Sequence, residues 1–391
     1  MRSFGVHAFA VAIACSGGLV VSQRDAVTSL VSRRLTEVLL PAAAETHELA
    51  RALNTNFVLV SQMDTSEIVK VQLDPITEAP VAFQSFLMGA NSKSGLHGVF
   101  PSTVYPGLVW LTLQYENKIL LVDPGANLSA APTVVYTIHI PEPGNGPHGV
   151  YEIGHRLWTS LKEASIQDGN YYVFSRDISD LQATNPEQNL YPCLKSPIFI
   201  QEEPSTKLIY VTQNSNSSIM RIDVSRNETT QLPIPPEFGS SPVGMATAYG
   251  PMSGVWFCLA GNADGGSGTF GRIDSAGRMH FFQLKKQDIG TGAGLVHLAD
   301  ASSPDVGPAL WLLSTSELSR TSTDTLIRVT FDQNVSVITG EEYISMPTQH
   351  SWVHRVVPLN STVLVSQLHT STLAQLSYNE TVAGQRHRAR L

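Results

Sequence analysis

Leu108-Val-Trp-Leu-Thr-Leu113, Arg156-Leu-Trp-Thr-Ser-Leu161, Gly254-Val-Trp-Phe-Cys-Leu259 and Ala309-Leu-Trp-Leu-Leu-Ser314 are versions of one short apolar run with Trp in its third place. Phe57-Val-Leu-Val-Ser-Gln62, Leu208-Ile-Tyr-Val-Thr-Gln213 and Thr362-Val-Leu-Val-Ser-Gln367 extend the series to seven copies, spaced about 50 residues apart. A polar loop follows each copy and leads to a second run: Ile68 to Asp74, Lys118 to Asp123, Tyr171 to Asp177, Ser218 to Asp223, Thr269 to Asp274, Thr325 to Phe331 and Thr372 to Tyr378. A third, alternating run follows in most units, as in Val81 to Phe86, Val134 to Ile140 and Met279 to Leu284. Ahead of the central run lies a fourth, opened by a Gly- or Pro-rich turn, as in Gly95-Leu-His-Gly-Val99, Gly146-Pro-His-Gly-Val150 and Ser241-Pro-Val-Gly-Met245. Apolar residues at period 2, bounded by turn residues, are strands, and four short antiparallel strands per repeat of this length make a propeller blade.

The expected fold is therefore an all-β propeller of seven blades over residues 47–391, with six blades as the alternative if the first unit is incomplete. The last unit lacks an evident outer strand, and residues 381–384 or the segment ahead of the N-terminal helix are expected to cover its edge. That helix is expected over Asp25 to Leu40, where Val27, Leu30, Val31, Leu35, Val38 and Leu39 have helical spacing and Pro41 ends the run. It forms the bulk of a separate segment over 23–46.

Composition narrows the class. The chain has 391 residues, 42% hydrophobic and 15% charged, with a net charge of −8. Such a chain can bury a large core, and without a clustered basic surface it is not expected to bind nucleic acid. Arg2 followed by the apolar stretch Phe4 to Ala14 and small residues has the form of a secretory signal over 1–22, and no later run has the length of a spanning helix. Six Asn-x-Ser/Thr sequons, at Asn127, Asn216, Asn227, Asn334, Asn360 and Asn379, exceed the two or three expected by chance and point to a secreted glycoprotein. With Cys15 in the signal, Cys193 and Cys258 either pair or stay as buried thiols. A monomer or weak dimer is expected.

Two resemblances add to this. Pro242-Val-Gly, Val255-Trp-Phe, Gly271-Arg-Ile-Asp274, Gly277 and Phe282 resemble the blade consensus of the streptogramin (virginiamycin B) lyases. That resemblance implies a seven-bladed propeller in which His and Glu hold magnesium and open a lactone by C–O elimination. The column that carries Glu in that family has Gln62, Leu113, Leu161, Gln213, Leu259, Ser314 and Gln367 here, so no metal or other cofactor is expected, with magnesium as the alternative. The signal, the sequons and a diverged propeller of this length also resemble the fungal secreted hetero-Diels–Alderases of tropolone sesquiterpenoid biosynthesis. This second resemblance implies an enzyme that joins a tropolone quinone methide to a humulene-type alkene, with a small apolar or polycyclic metabolite as its partner.

Candidate residues follow from propeller geometry, because inner strands line the channel. His97 and His148 share one repeat position at the start of inner strands, and His297 and His354 lie in later inner strands, so these four are the catalytic candidates. Imidazoles can donate a proton to a leaving hydroxyl or hydrogen-bond a carbonyl. His350, Trp352, Gln62, Gln213, Gln367, His369 and Tyr115 are the substrate-binding candidates, from the neighbouring strand ends, and Glu163 lies beside them. Trp110, Trp158, Trp256 and Trp311 are expected in the core between blades. A non-catalytic binding propeller is the remaining alternative.

Overall fold

The computed structural model describes residues 20–21, 27–28, 35–40, 45–262, 265–285, 294–318 and 322–377. They form seven blades of four antiparallel strands, and two of these gain a fifth, parallel strand, Val20–Val21 beside Met279–Gln283 and Val27–Thr28 beside Ile338–Ser345. The first six blades follow the chain, with inner strands Thr46–Arg51, Leu96–Pro101, Pro147–Ile153, Pro197–Glu202, Pro242–Ala248 and Gly294–Asp300. The central strands are the seven apolar runs of the repeat, among them Phe57–Gln62, Arg156–Leu161 and Gly254–Leu259. Their side chains are buried on both faces, since each blade is covered by a neighbour on either side.

The seventh blade closes the ring. Val353–Pro358, Thr362–Gln367 and Thr372–Ser377 supply three strands, and Leu35–Leu39 from the other end of the chain supplies the fourth, pairing Leu35 with Leu376 and Leu39 with Thr372. The helix expected over Asp25 to Leu40 is thus corrected: its described parts, Val27–Thr28 and Leu35–Leu39, are strands. A row of unpaired N–H and C=O groups along Thr372–Ser377 offers this segment a full ladder, and that outweighs a weak helical spacing. Gln367 locks the join, its amide donating to Glu37 Oε1 at 2.9 Å and to Ser351 Oγ at 2.8 Å. Residues 381–384 lie outside the described residues.

The third blade has an outer strand that the repeat did not reveal, Gln188–Cys193, beyond a polar loop. Pro192 sits in it without harm because an outermost strand has a free edge. Trp110, Trp158, Trp256 and Trp311 are all at most 1% exposed. Each is packed in the core, and Trp110 Nε1 donates to Glu152 at 2.9 Å. Cys193 and Cys258 are free thiols in different blades. Among the described residues no helix is long and apolar enough to cross a membrane.

Candidate functional site

Each inner strand carries a bulge near its start, for example between Thr46 and Leu49, between Leu295 and His297 and between Val353 and Arg355. The bulge sets two adjacent columns around the channel. The first contains His47, His97, His148, Ile198, Val243, Val296 and His354, so four neighbouring blades contribute imidazole and three contribute aliphatic groups. The second contains Glu48, Gly98, Gly149, Phe199, Gly244, His297 and Arg355. Adjacent inner strands approach closely here: a Cβ on Gly98 would lie 2.6 Å from His148 O, and one on Gly244 would lie 2.5 Å from Val296 O. Only glycine fits those contacts.

The histidines form an arc. Ring centroids of His97 and His148 are 3.5 Å apart, those of His47 and His97 4.5 Å, and His47 Nδ1 lies 3.3 Å from His354 Nε2. His97 Nδ1 donates to His148 O at 3.2 Å, because a carbonyl can only accept, and this leaves His97 Nε2 buried with no partner. His148 Nδ1 donates to Gln114 Oε1 at 2.9 Å, and the Gln114 amide passes the contact on to Glu163 at 2.8 Å. At the other end Glu317 Oε2 stands 3.6 Å from His354 Nδ1.

Below this arc the channel widens into a cavity of about 420 Å³ walled by all seven inner strands. Leu49, Val99, Phe100, Val150, Met245 and Leu298 give apolar walls. Glu48, Arg355 and His297 give one polar side. Arg355 Nε donates to Glu48 Oε1 at 2.5 Å, NH1 donates to His354 O at 3.0 Å, and the guanidinium lies 4.5 Å from the centre of the Phe199 ring. His297 Nδ1 accepts the Val356 N–H at 3.2 Å, so its proton sits on Nε2.

Burial holds the imidazoles of His47, His97, His148, His297 and His354 well below the ordinary histidine value, and the Arg355 charge pushes every one of them the same way. They are neutral near pH 7. Burial also raises the Glu317 carboxyl, against the pull of Arg355 and Lys162, and lowers the Lys162 ammonium, against the pull of Glu317 and Glu163.

The structure brings His97, His148 and His354 together with His47, and puts His297 one step lower, facing the cavity. It does not bring the other candidates to them. Gln213 and Gln367 bond within or beside their own blades, to Ser218 and Gln231 in one case and to Glu37, Ser351 and Thr372 in the other. Gln62 is fully buried at its strand end. Tyr115, His350 and His369 are exposed, and the Trp352 ring lies 4.6 Å from that of His369, tilted by 34°. The described sequons Asn127, Asn216, Asn227, Asn334 and Asn360 are all exposed, and Asn379 lies outside the described residues.

Sequence reasoning missed Glu48, Arg355, Phe199, Lys162 and Glu317. Glu48 and Arg355 directly follow the histidines of their strands, so aligning the repeats on the bulge would have exposed them. Among the described residues no three His, Cys, Asp or Glu side chains are grouped to hold a metal ion, and the imidazoles meet ring to ring, whereas a hard cation takes carboxylate oxygens.

No family model and no curated protein sequence matches the chain. Solved structures do. A catalytically inactive virginiamycin B lyase from Staphylococcus aureus with quinupristin is 18% identical at a TM-score of 0.65, over 88% of this chain and 99% of that one. A streptogramin B lyase is 17% identical at 0.63, over 88% and 97%. YCF48 bound to D1 peptide is 10% identical at 0.61, over 90% and 98%. These likenesses establish the propeller fold shared with lyases and with binding proteins.

Proposed function

We propose that this protein is a secreted, cofactor-independent enzyme of secondary metabolism, a dehydratase and hetero-Diels–Alderase that joins a tropolone quinone methide to a humulene-type alkene inside the channel. The observation that carries this reading is the cavity of about 420 Å³ whose walls are largely apolar, with Arg355, Glu48 and His297 gathered on one side and Arg51, Gln201 and Asp300 as further polar lining residues. Its size suits small-molecule ligands. Two apolar partners held together there react without covalent help, and a donor such as His297 Nε2–H on a carbonyl oxygen makes the diene more electron-poor. Loss of water to make the quinone methide breaks the C–O bond of the hydroxymethyl group as the ring hydroxyl gives up its proton, the two leaving together as water. Five exposed sequons support the secretory route.

The test is to incubate the purified glycoprotein, after exhaustive chelation, with a hydroxymethyl-tropolone precursor and a humulene-type alkene. Cyclised adduct should form faster than in buffer and as one stereoisomer. A rate no greater than buffer for both dehydration and cycloaddition would refute the reading and favour a binding propeller.

A further inference from the structure

We propose that Arg355 and Glu48 form an oxyanion subsite in the cavity, in which Glu48 is an internal counter-ion that a flat, ring-borne oxyanion displaces. The inference rests on the function proposed above for its substrate class, and on the following geometry for everything else. Both residues line the cavity, yet they belong to blades at opposite ends of the chain, 307 positions apart. Arg355 is fixed from three sides: by Glu48 Oε1, by His354 O through NH1, and by the Phe199 ring against its face. Its side chain is only 3% exposed and that of Glu48 is 16% exposed.

Three guanidinium N–H groups are thereby used, two toward Glu48 and one toward His354. Two remain. A guanidinium carries five N–H donors in a planar fork that matches two adjacent oxygens of an anion. Both Arg355 contacts fall on the same carboxylate oxygen of Glu48, Oε1. The pair is thus not the two-oxygen fork that such partners form when each is the other's best ligand. The geometry leaves room for a ligand offering two oxygens.

His297 completes the subsite. Its ring lies 5.3 Å from that of Phe199, and its Nε2–H is its free donor, because Nδ1 is taken by Val356 N–H. An enolate or α-hydroxyketonate on a flat ring would thus meet a cation and a neutral donor along one edge. Its apolar faces would meet Phe100, Val150 and Leu298. A carboxylate on a flexible chain would gain the charge contact without the flat-ring contact.

Opposite effects of the two charges separate this from a structural ion pair. The probes are tropolone, hexanoate and naphthalene, titrated calorimetrically into wild type, Glu48→Gln and Arg355→Met. Wild type should bind tropolone more tightly than hexanoate. Glu48→Gln should tighten tropolone binding by roughly tenfold, because the competing anion is gone, and Arg355→Met should weaken it by at least about tenfold. Naphthalene affinity should change little in either variant, which reports that the cavity is intact, with circular dichroism as the fold control. If a variant fails to fold, Arg355→Lys stands in, since a point charge without the planar two-oxygen fork should weaken tropolone binding and leave that of naphthalene unchanged. Weaker tropolone binding in Glu48→Gln, unchanged binding in Arg355→Met, or no tropolone binding by wild type would overturn the subsite. Turnover without Arg355-dependent binding sinks only this inference, whereas binding without turnover sinks only the reaction.

Discussion

Acidification should destabilise the propeller through its own channel lining. His97, His148 and His47 are 0%, 4% and 8% exposed, and burial holds all three imidazoles well below their ordinary value of 6.5. In the unfolded chain they titrate normally. Their contribution to stability is therefore intact above pH 6.5 and is lost as pH falls below it, since the unfolded state then binds protons that the folded state refuses. Each group that stays neutral in the fold costs at most RT ln(1 + 10^(6.5 − pH)), about 1 kcal/mol at pH 5.5, so the three together cost at most about 4 kcal/mol. The blades run from Thr46 to Ser377, roughly 330 residues, so the unfolding entropy is about 0.7 kcal/mol/K and the expected fall in Tm between pH 7.5 and 5.5 is at most about 6 °C. Lys162 and Arg355 add positive charge around the arc and act in the same direction. Glu317 acts in the opposite direction, because its raised carboxyl is stabilised as pH falls. Differential scanning calorimetry at the two pH values measures the shift, and replacing His97 by Gln should make it smaller. A Tm equal at both pH values, or a shift unchanged in His97→Gln, would refute the claim that the arc is neutral in the fold.

Other outcomes follow from the same geometry. Glu37→Ala removes the acceptor of Gln367 and of the Thr348 N–H and hydroxyl, and should cost about 1–3 kcal/mol of stability in urea, a test of whether the closing strand is integral to the fold. Secreted protein should migrate above its 42.4 kDa chain and sharpen on endoglycosidase treatment, and an unshifted band would count against the glycoprotein reading. Activity should survive EDTA; loss of turnover restored by magnesium would instead favour a metal-dependent lyase. His97→Ala, His148→Ala, His297→Ala and His354→Ala should each remain folded, and at least one should slow dehydration roughly 100-fold while affecting cycloaddition of a chemically generated quinone methide less. Wild-type rates for both steps in all four would make the arc structural.

The repeat of short apolar strands was legible in the sequence because each blade needs the same doubly covered central strand, and that requirement writes Val-Trp-Phe-like runs into the chain at a fixed interval. Trp110, Trp158, Trp256 and Trp311 could be placed in the core for the same reason, as could the shared position of His97 and His148. The fate of Leu35–Leu39 could not. Its spacing suits a helix, and only the unpaired edge of Thr372–Ser377, brought near by closure of the ring, makes it a strand. Gln367 likewise looked like a channel residue until the closing strand delivered Glu37 to it. The cavity's polar side was hidden most deeply. Glu48 and Arg355 are ordinary charged residues in sequence, and they become a buried pair because the bulge turns both toward the channel just where the first and last blades meet. Local pattern determines which residues form strands and which strands repeat, whereas contacts between distant segments exist only once the ring has closed.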